Sequence, residues 1–114
     1  MELVIAVIEN PDYVRPIITK FYEGGIPGAT VIDGRGMGHM MADKTSIFSR
    51  FSDLTGGDGA INHNNIIFTV VEDEKVDKAF EIIEEEIGNL EEPDTGLVLS
   101  VPVNKISGFG TLLE

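Results

Sequence analysis

Three glycines at alternate positions, Gly34, Gly36 and Gly38, directly follow the apolar run Ala29-Thr30-Val31-Ile32, and behind them stand His39, Met40 and Met41. Alternate glycines let backbone N–H groups approach an anion or a flat ligand, because no Cβ intervenes. G-x-G-x-G is not the dinucleotide fingerprint, however, and no helical pattern follows it. The same glycines also suit a twisted or bulged hairpin arm, with Gly56-Gly57-Asp58-Gly59 as its tip. His39, Met40 and Met41, with His63 at the far end of the segment, form a soft imidazole and thioether set that would accept copper. Their spacing is diagnostic of no metal, and methionines in a loop serve equally well as an adaptable contact surface. The candidate acids and bases, Asp33, Asp43, Asp53, Asp58, His39 and His63, all fall on this one segment without rigid support, which argues against an enzyme.

The elements that must position this segment are legible around it. Leu3 to Ile8 is a β-branched run ended by Glu9-Asn10-Pro11-Asp12, which breaks a strand and can cap a helix. Val14, Ile17, Ile18 and Phe21 recur at helical spacing, Pro16 is tolerable in a first turn, and Gly24-Gly25 closes the helix. A turn at Pro27-Gly28 leads into a second strand, Ala29 to Asp33. An insertion of about thirty residues, Gly34 to Asn64, precedes a third strand, Ile66 to Val71. A second amphipathic helix follows, with Val76, Ala79, Phe80, Ile83 and Ile87 inward and Gly88-Asn89 at its end. Leu97 to Val103 is the fourth strand.

The order is βαββαβ, which predicts an α+β, ferredoxin-like single domain over residues 1–114: a four-stranded antiparallel sheet with both helices on one face. Strands one, three and four are apolar at odd and even positions alike, so the face without helices must also be covered. Leaving six to nine such side chains wet would forgo ~1.5 to 3 kcal/mol each, comparable with the whole stability of a small domain. The expectation is an obligate homo-oligomer with sheets packed on one another. The alternative is that the tail, Ile106 to Leu113, folds back over part of the sheet.

Composition narrows the function. A net charge of -12 with only eight Lys and Arg argues against nucleic acid and anionic membranes as partners. The absence of cysteine removes disulfides and thiolate chemistry, and the N-terminal apolar run is too short for a membrane span. A soluble cytoplasmic protein is expected. Glu84-Glu85-Glu86 reads as the solvated outer face of the second helix. Ser46 to Phe51 carries Ile47, Phe48 and Phe51 at helical spacing beside Arg50, an anchor for a partner or a surface that packs on its own oligomer.

Three stretches, "EGGIPGATVIDGRGMG" (Glu23 to Gly38), "IIFTVVEDEKVDKAFEII" (Ile66 to Ile83) and "DTGLVLSVPV" (Asp94 to Val103), resemble the PII nitrogen-regulatory signalling proteins and their PII-like relatives. The resemblance implies a ferredoxin-like homotrimer, non-enzymatic, that senses a metabolite or adenine nucleotide in clefts between subunits. It implies a T-loop at about 36–64 that docks on a regulated transporter, enzyme or transcription regulator, and a B-loop at about 89–96. By position, Thr30 and Val70 would lie near a nucleotide base, Gly36, Met37 and Gly38 at the T-loop root, and Gly96 at the B-loop. The Lys that usually follows the B-loop glycine is Leu97 here, the two phosphate-clasping Arg positions fall on Gly108 and Gly110, and the Gln that helps hold 2-oxoglutarate falls on Met40. The modifiable T-loop Tyr is missing too, since Tyr13 and Tyr22 both fall on the first helix. Three lost cations remove charge-assisted bonds worth ~1.5 to 3 kcal/mol each, so an ordinary Mg-ATP and 2-oxoglutarate site is degraded. Arg35 and Lys105 remain as the basic candidates, suited to one phosphate or a carboxylate. Two other readings share this fold: a trimeric copper-type protein using His39 and His63, and an interaction module without ligand.

Overall fold

Alternation sets the first element. In β1 (Glu2–Ile8) the buried residues are Val4, Ala6 and Ile8, while Leu3, Ile5 and Val7 between them are only half-buried. The computed structural model describes residues 1–35, 63–91 and 95–109. After β1, Asn10 accepts the Asp12 N–H through Oδ1 at 2.9 Å and starts a 3-10 turn, Pro11–Tyr13. This turn runs into α1 (Val14–Glu23) with Pro16 in the first turn, where its missing N–H costs nothing. The end of α1 is set by Gly25 at φ +85: Ile26 N–H donates to Phe21 O at 2.8 Å and Gly25 N–H to Tyr22 O at 3.2 Å. That pair of bonds is the Schellman pattern, and the buried Phe21 and Ile26 supply its apolar contact.

The remaining strands are β2 (Thr30–Arg35), β3 (His63–Val71) and β4 (Gly96–Pro102), with α2 (Val76–Ile87) between the last two. The sheet order is β2-β3-β1-β4 and every neighbouring pair is antiparallel. Both helices lie on one face, where Ile17, Phe21, Ala79, Ile82 and Ile83 pack on Val4, Ala6, Ile8, Ile67 and Val71. The expected ferredoxin-like arrangement is the one observed. Two polar ties hold its corners. The buried Thr69 hydroxyl donates to Gly28 O, fixing the turn ahead of β2. Lys75 Nζ donates to Gly24 O at 3.1 Å, joining the end of α1 to the start of α2.

Several boundaries differ from the sequence expectation: β4 starts and ends one residue earlier than Leu97 to Val103, β1 starts one residue earlier than Leu3, and two further shifts matter more. β2 and β3 run on through Asp33↔Asn65 and Gly34↔Asn64 to Arg35↔His63, so Gly34, Arg35, His63 and Asn64 belong to the sheet and not to the insertion. Cross-strand pairing overrides the poor strand preference of Gly and Asn here, and in the amide orientation that satisfies both groups the Asn64 nitrogen donates to Glu9 Oε2 at 2.8 Å. Tyr13 lies in the 3-10 turn, ahead of α1 and not within it. Among the described residues no helix is long and apolar enough to cross a membrane.

Candidate ligand-binding site

Strand register places one side chain from every second residue on the face opposite the helices. Leu97, Leu99 and Val101 of β4 pair with Val7, Ile5 and Leu3 of β1, which pair in turn with Ile66, Phe68 and Val70 of β3. Ile32 of β2 extends the Val7–Ile66 row. This grid is apolar throughout, and Ile32, Leu97, Leu99 and Val101 keep 38 to 48% of their surface exposed. The described tail does not cover it: Phe109 sits at the rim, beside Pro27 and Val70. Residues 110–114 lie outside the described part.

At one corner of this face, on the β2 edge, a groove of about 310 Å³ is lined by Leu3, Pro27, Gly28, Ala29, Thr30, Phe68, Thr69 and Val70. Its volume falls at the lower end of small-molecule sites. None of the lining side chains carries a charge, so the groove can hold a flat or apolar moiety by contact, with the Thr30 hydroxyl and free edge-strand backbone as polar handles. A larger recess of about 440 Å³ lies on the helical side, between Val14, Arg15, Ile18, Thr19 and Asn65, and contains none of the expected ligand residues.

Thr30 and Val70, expected near a base, do line one groove. Gly96 does not join them within the chain. It opens β4 opposite Ile8, whereas Thr30 stands on β2, the other edge of the sheet, about 17 Å away across three strand spacings and three residues along them. Gly96 has its own structural cause: at φ +138 a Cβ would stand 2.2 Å from Val7 O.

The two cations separate as well. Arg35 ends β2 beyond the Ile8 row, while Lys105 lies beyond Val103, whose N–H donates to Met1 O at 3.0 Å. From Met1 to Ile8 is seven residue steps, about 23 Å at a strand's rise, so the pair cannot meet around one ligand in one chain. Leu97, where the resemblance expects a Lys, lies 48% exposed on the open face, and Gly108 turns the chain at φ +93 just before Phe109. Gly36, Met37, Gly38 and His39 lie outside the described residues. His63 is placed by its backbone opposite Arg35. Among the described residues, no three His, Asp or Glu side chains come together as a metal would require.

The groove's apolar residues, Leu3, Pro27 and Phe68, were not singled out from the sequence. They carry no motif, and only the period-two alternation of their strands could have hinted that they share the open face.

Compared with known proteins, the chain matches the family model described as nitrogen regulatory protein P-II over residues 1–109. No curated protein matches it.

Proposed function

Because the chain belongs to the P-II family of nitrogen regulatory signalling proteins, we propose that it works as a trimer that senses a small anionic ligand in clefts between copies. One observation supports this above the rest. The described candidates are spread along the sheet, Val70 and Lys105 toward the Met1 end, Thr30 midway on the β2 edge, Arg35 and Gly96 toward the other end, so that no single chain gathers them. A second copy, presenting its opposite end, would complete the site. The uncovered apolar grid supplies the surface on which copies would join. An adenylate with a single phosphate suits a neutral groove flanked by one cation from each side better than a triphosphate does. The segment 36–64 then relays occupancy to a regulated protein.

Light scattering and calorimetry test this together. The wild-type chain should run at three times its 12.4 kDa mass at micromolar concentration and bind AMP. Leu99→Glu, which places a charge at the centre of the grid but outside the groove, should yield single chains and abolish AMP binding. A wild-type protein that is a stable single chain, or an AMP affinity untouched in single-chain Leu99→Glu, overturns the proposal.

A further inference from the structure

Phe109 sits beside two residues of the groove's lining. It lines a cavity of about 60 Å³ together with Gly25, Pro27, Val70 and Lys75. Pro27 and Val70 also line the 310 Å³ groove, so the tail's anchor touches two residues of the candidate ligand site. The tail segment is tethered at both ends: Val103 N–H is bonded to Met1 O, and Phe109, half-buried, is seated beyond the positive-φ Gly108. Six residue steps span at most about 21 Å, which confines Lys105 to the end of the sheet where the groove opens. The groove's own lining is neutral, so a charge for an anionic ligand must be brought to it.

We propose that Phe109 is a positioning residue: seated against Pro27 and Val70, it holds the segment after β4 so that Lys105 meets the anionic group of a ligand in the groove. This rests on the groove being the ligand site proposed above. With the anchor in place the ligand finds the ammonium tethered nearby; without it, the ligand itself must order the segment, and affinity falls. The loss should therefore be confined to ligands that carry the anion.

Calorimetric titration of the full chain with AMP and with adenosine reads this out. Phe109→Ala should weaken AMP binding about tenfold while adenosine changes by less than about twofold. Phe109→Leu should restore most of the AMP affinity. Lys105→Ala should reproduce the loss, and the double variant should lose no more than either single one, because both act through the same interaction. Equal losses for AMP and adenosine in Phe109→Ala, an unchanged AMP affinity, or additive effects in the double variant each overturn the inference. If Phe109→Ala fails to fold, Phe109→Val, which keeps an apolar anchor too small to reach as far as the ring, should lose part of the AMP affinity and leave adenosine within about twofold, and equal losses for the two ligands overturn the inference. A wild-type chain that binds neither compound overturns the groove's assignment itself, and this inference with it.

Discussion

Gly96→Ala separates two explanations for one glycine. The B-loop resemblance gives Gly96 a ligand-binding reason; the backbone gives it a folding reason, because at φ +138 an added Cβ would lie 2.2 Å from Val7 O, 3.3 Å from Val7 C and 3.4 Å from Ile8 Cα. The clashing atoms are backbone of the central strand β1, which cannot swing aside as a side chain would. Positive φ in a residue with a side chain costs about 1 to 3 kcal/mol, and a forced backbone shift adds about as much again. Relief is available, since Gly96↔Ile8 is the last pair of the β1–β4 ladder and can fray for roughly the loss of one or two hydrogen bonds, about 1 kcal/mol each. The expected loss is therefore about 2 to 4 kcal/mol, a fall on the order of 10 °C in Tm for a chain this size. Gly88→Ala is the control: φ is +92 but nothing lies within 4 Å of the added Cβ, so only the backbone cost applies. Thermal unfolding followed by circular dichroism should rank Gly96→Ala well below Gly88→Ala. Equal melting temperatures would refute the close approach to Val7, and a wild-type Tm with abolished AMP binding would leave Gly96 a ligand residue alone.

Thr69→Val removes the buried hydroxyl that donates to Gly28 O; it should cost about 1 to 2 kcal/mol, lower Tm by roughly 5 °C, and weaken AMP binding through the loosened Pro27–Thr30 turn. Lys20 is held above its ordinary value of 10.5, first by its hydrogen bond to Glu86. Because the folded value is raised, the pair's contribution is complete below 10.5 and fades as pH rises through the folded value. The Tm difference between wild type and Lys20→Met should accordingly stay flat from about pH 7 to 9, shrink above 10.5 and diminish with salt; a difference that grows with pH contradicts the sign. Leu97→Lys returns an ammonium to the start of β4: ATP affinity should rise about tenfold or more, while light scattering registers weaker self-association, because each copy buries less apolar surface, worth ~1 kcal/mol.

The fold was legible wherever local chemistry set it. Gly24-Gly25 closed α1 as its spacing required, and Asn10-Pro11 ended β1. The extension of β2 and β3 to Arg35↔His63 was not, because Gly34, Asn64 and Asn65 favour turns and their strand conformation comes from partners thirty residues away. The candidate site was half legible. Thr30 and Val70 stand out by resemblance, but Leu3 and Phe68, which complete the groove, look like ordinary core residues until register turns them away from the helices. Phe109 was harder still, since its neighbours, Gly25 to Pro27 and Val70 to Lys75, lie some 35 to 85 positions back in the chain and follow no period.

Parity bears on the positions where the resemblance expects a cation, Leu97 and the Gly108 and Gly110 pair. In β4 the odd positions Leu97, Leu99 and Val101 face away from the helices, and Gly96, Val98 and Ser100 face toward them. A cation in place of Leu97 would thus project from the same face that the grid of Leu3, Ile5, Val7, Ile66, Phe68 and Val70 makes apolar. Leucine extends that grid by one more side chain where the resemblance expects a phosphate-binding charge. Glycine at 108 and 110 continues the pattern, since neither residue carries a side chain to reach a ligand, and Phe109 between them turns to the Pro27–Val70 wall. Among the described residues of this chain of net charge -12, Arg35 at one end and Lys105 at the other are the cations assigned to the proposed cleft. Two single charges, supplied by different copies in the proposed assembly, would balance one dianionic phosphate and not three, which makes AMP against ATP the comparison that tests the count.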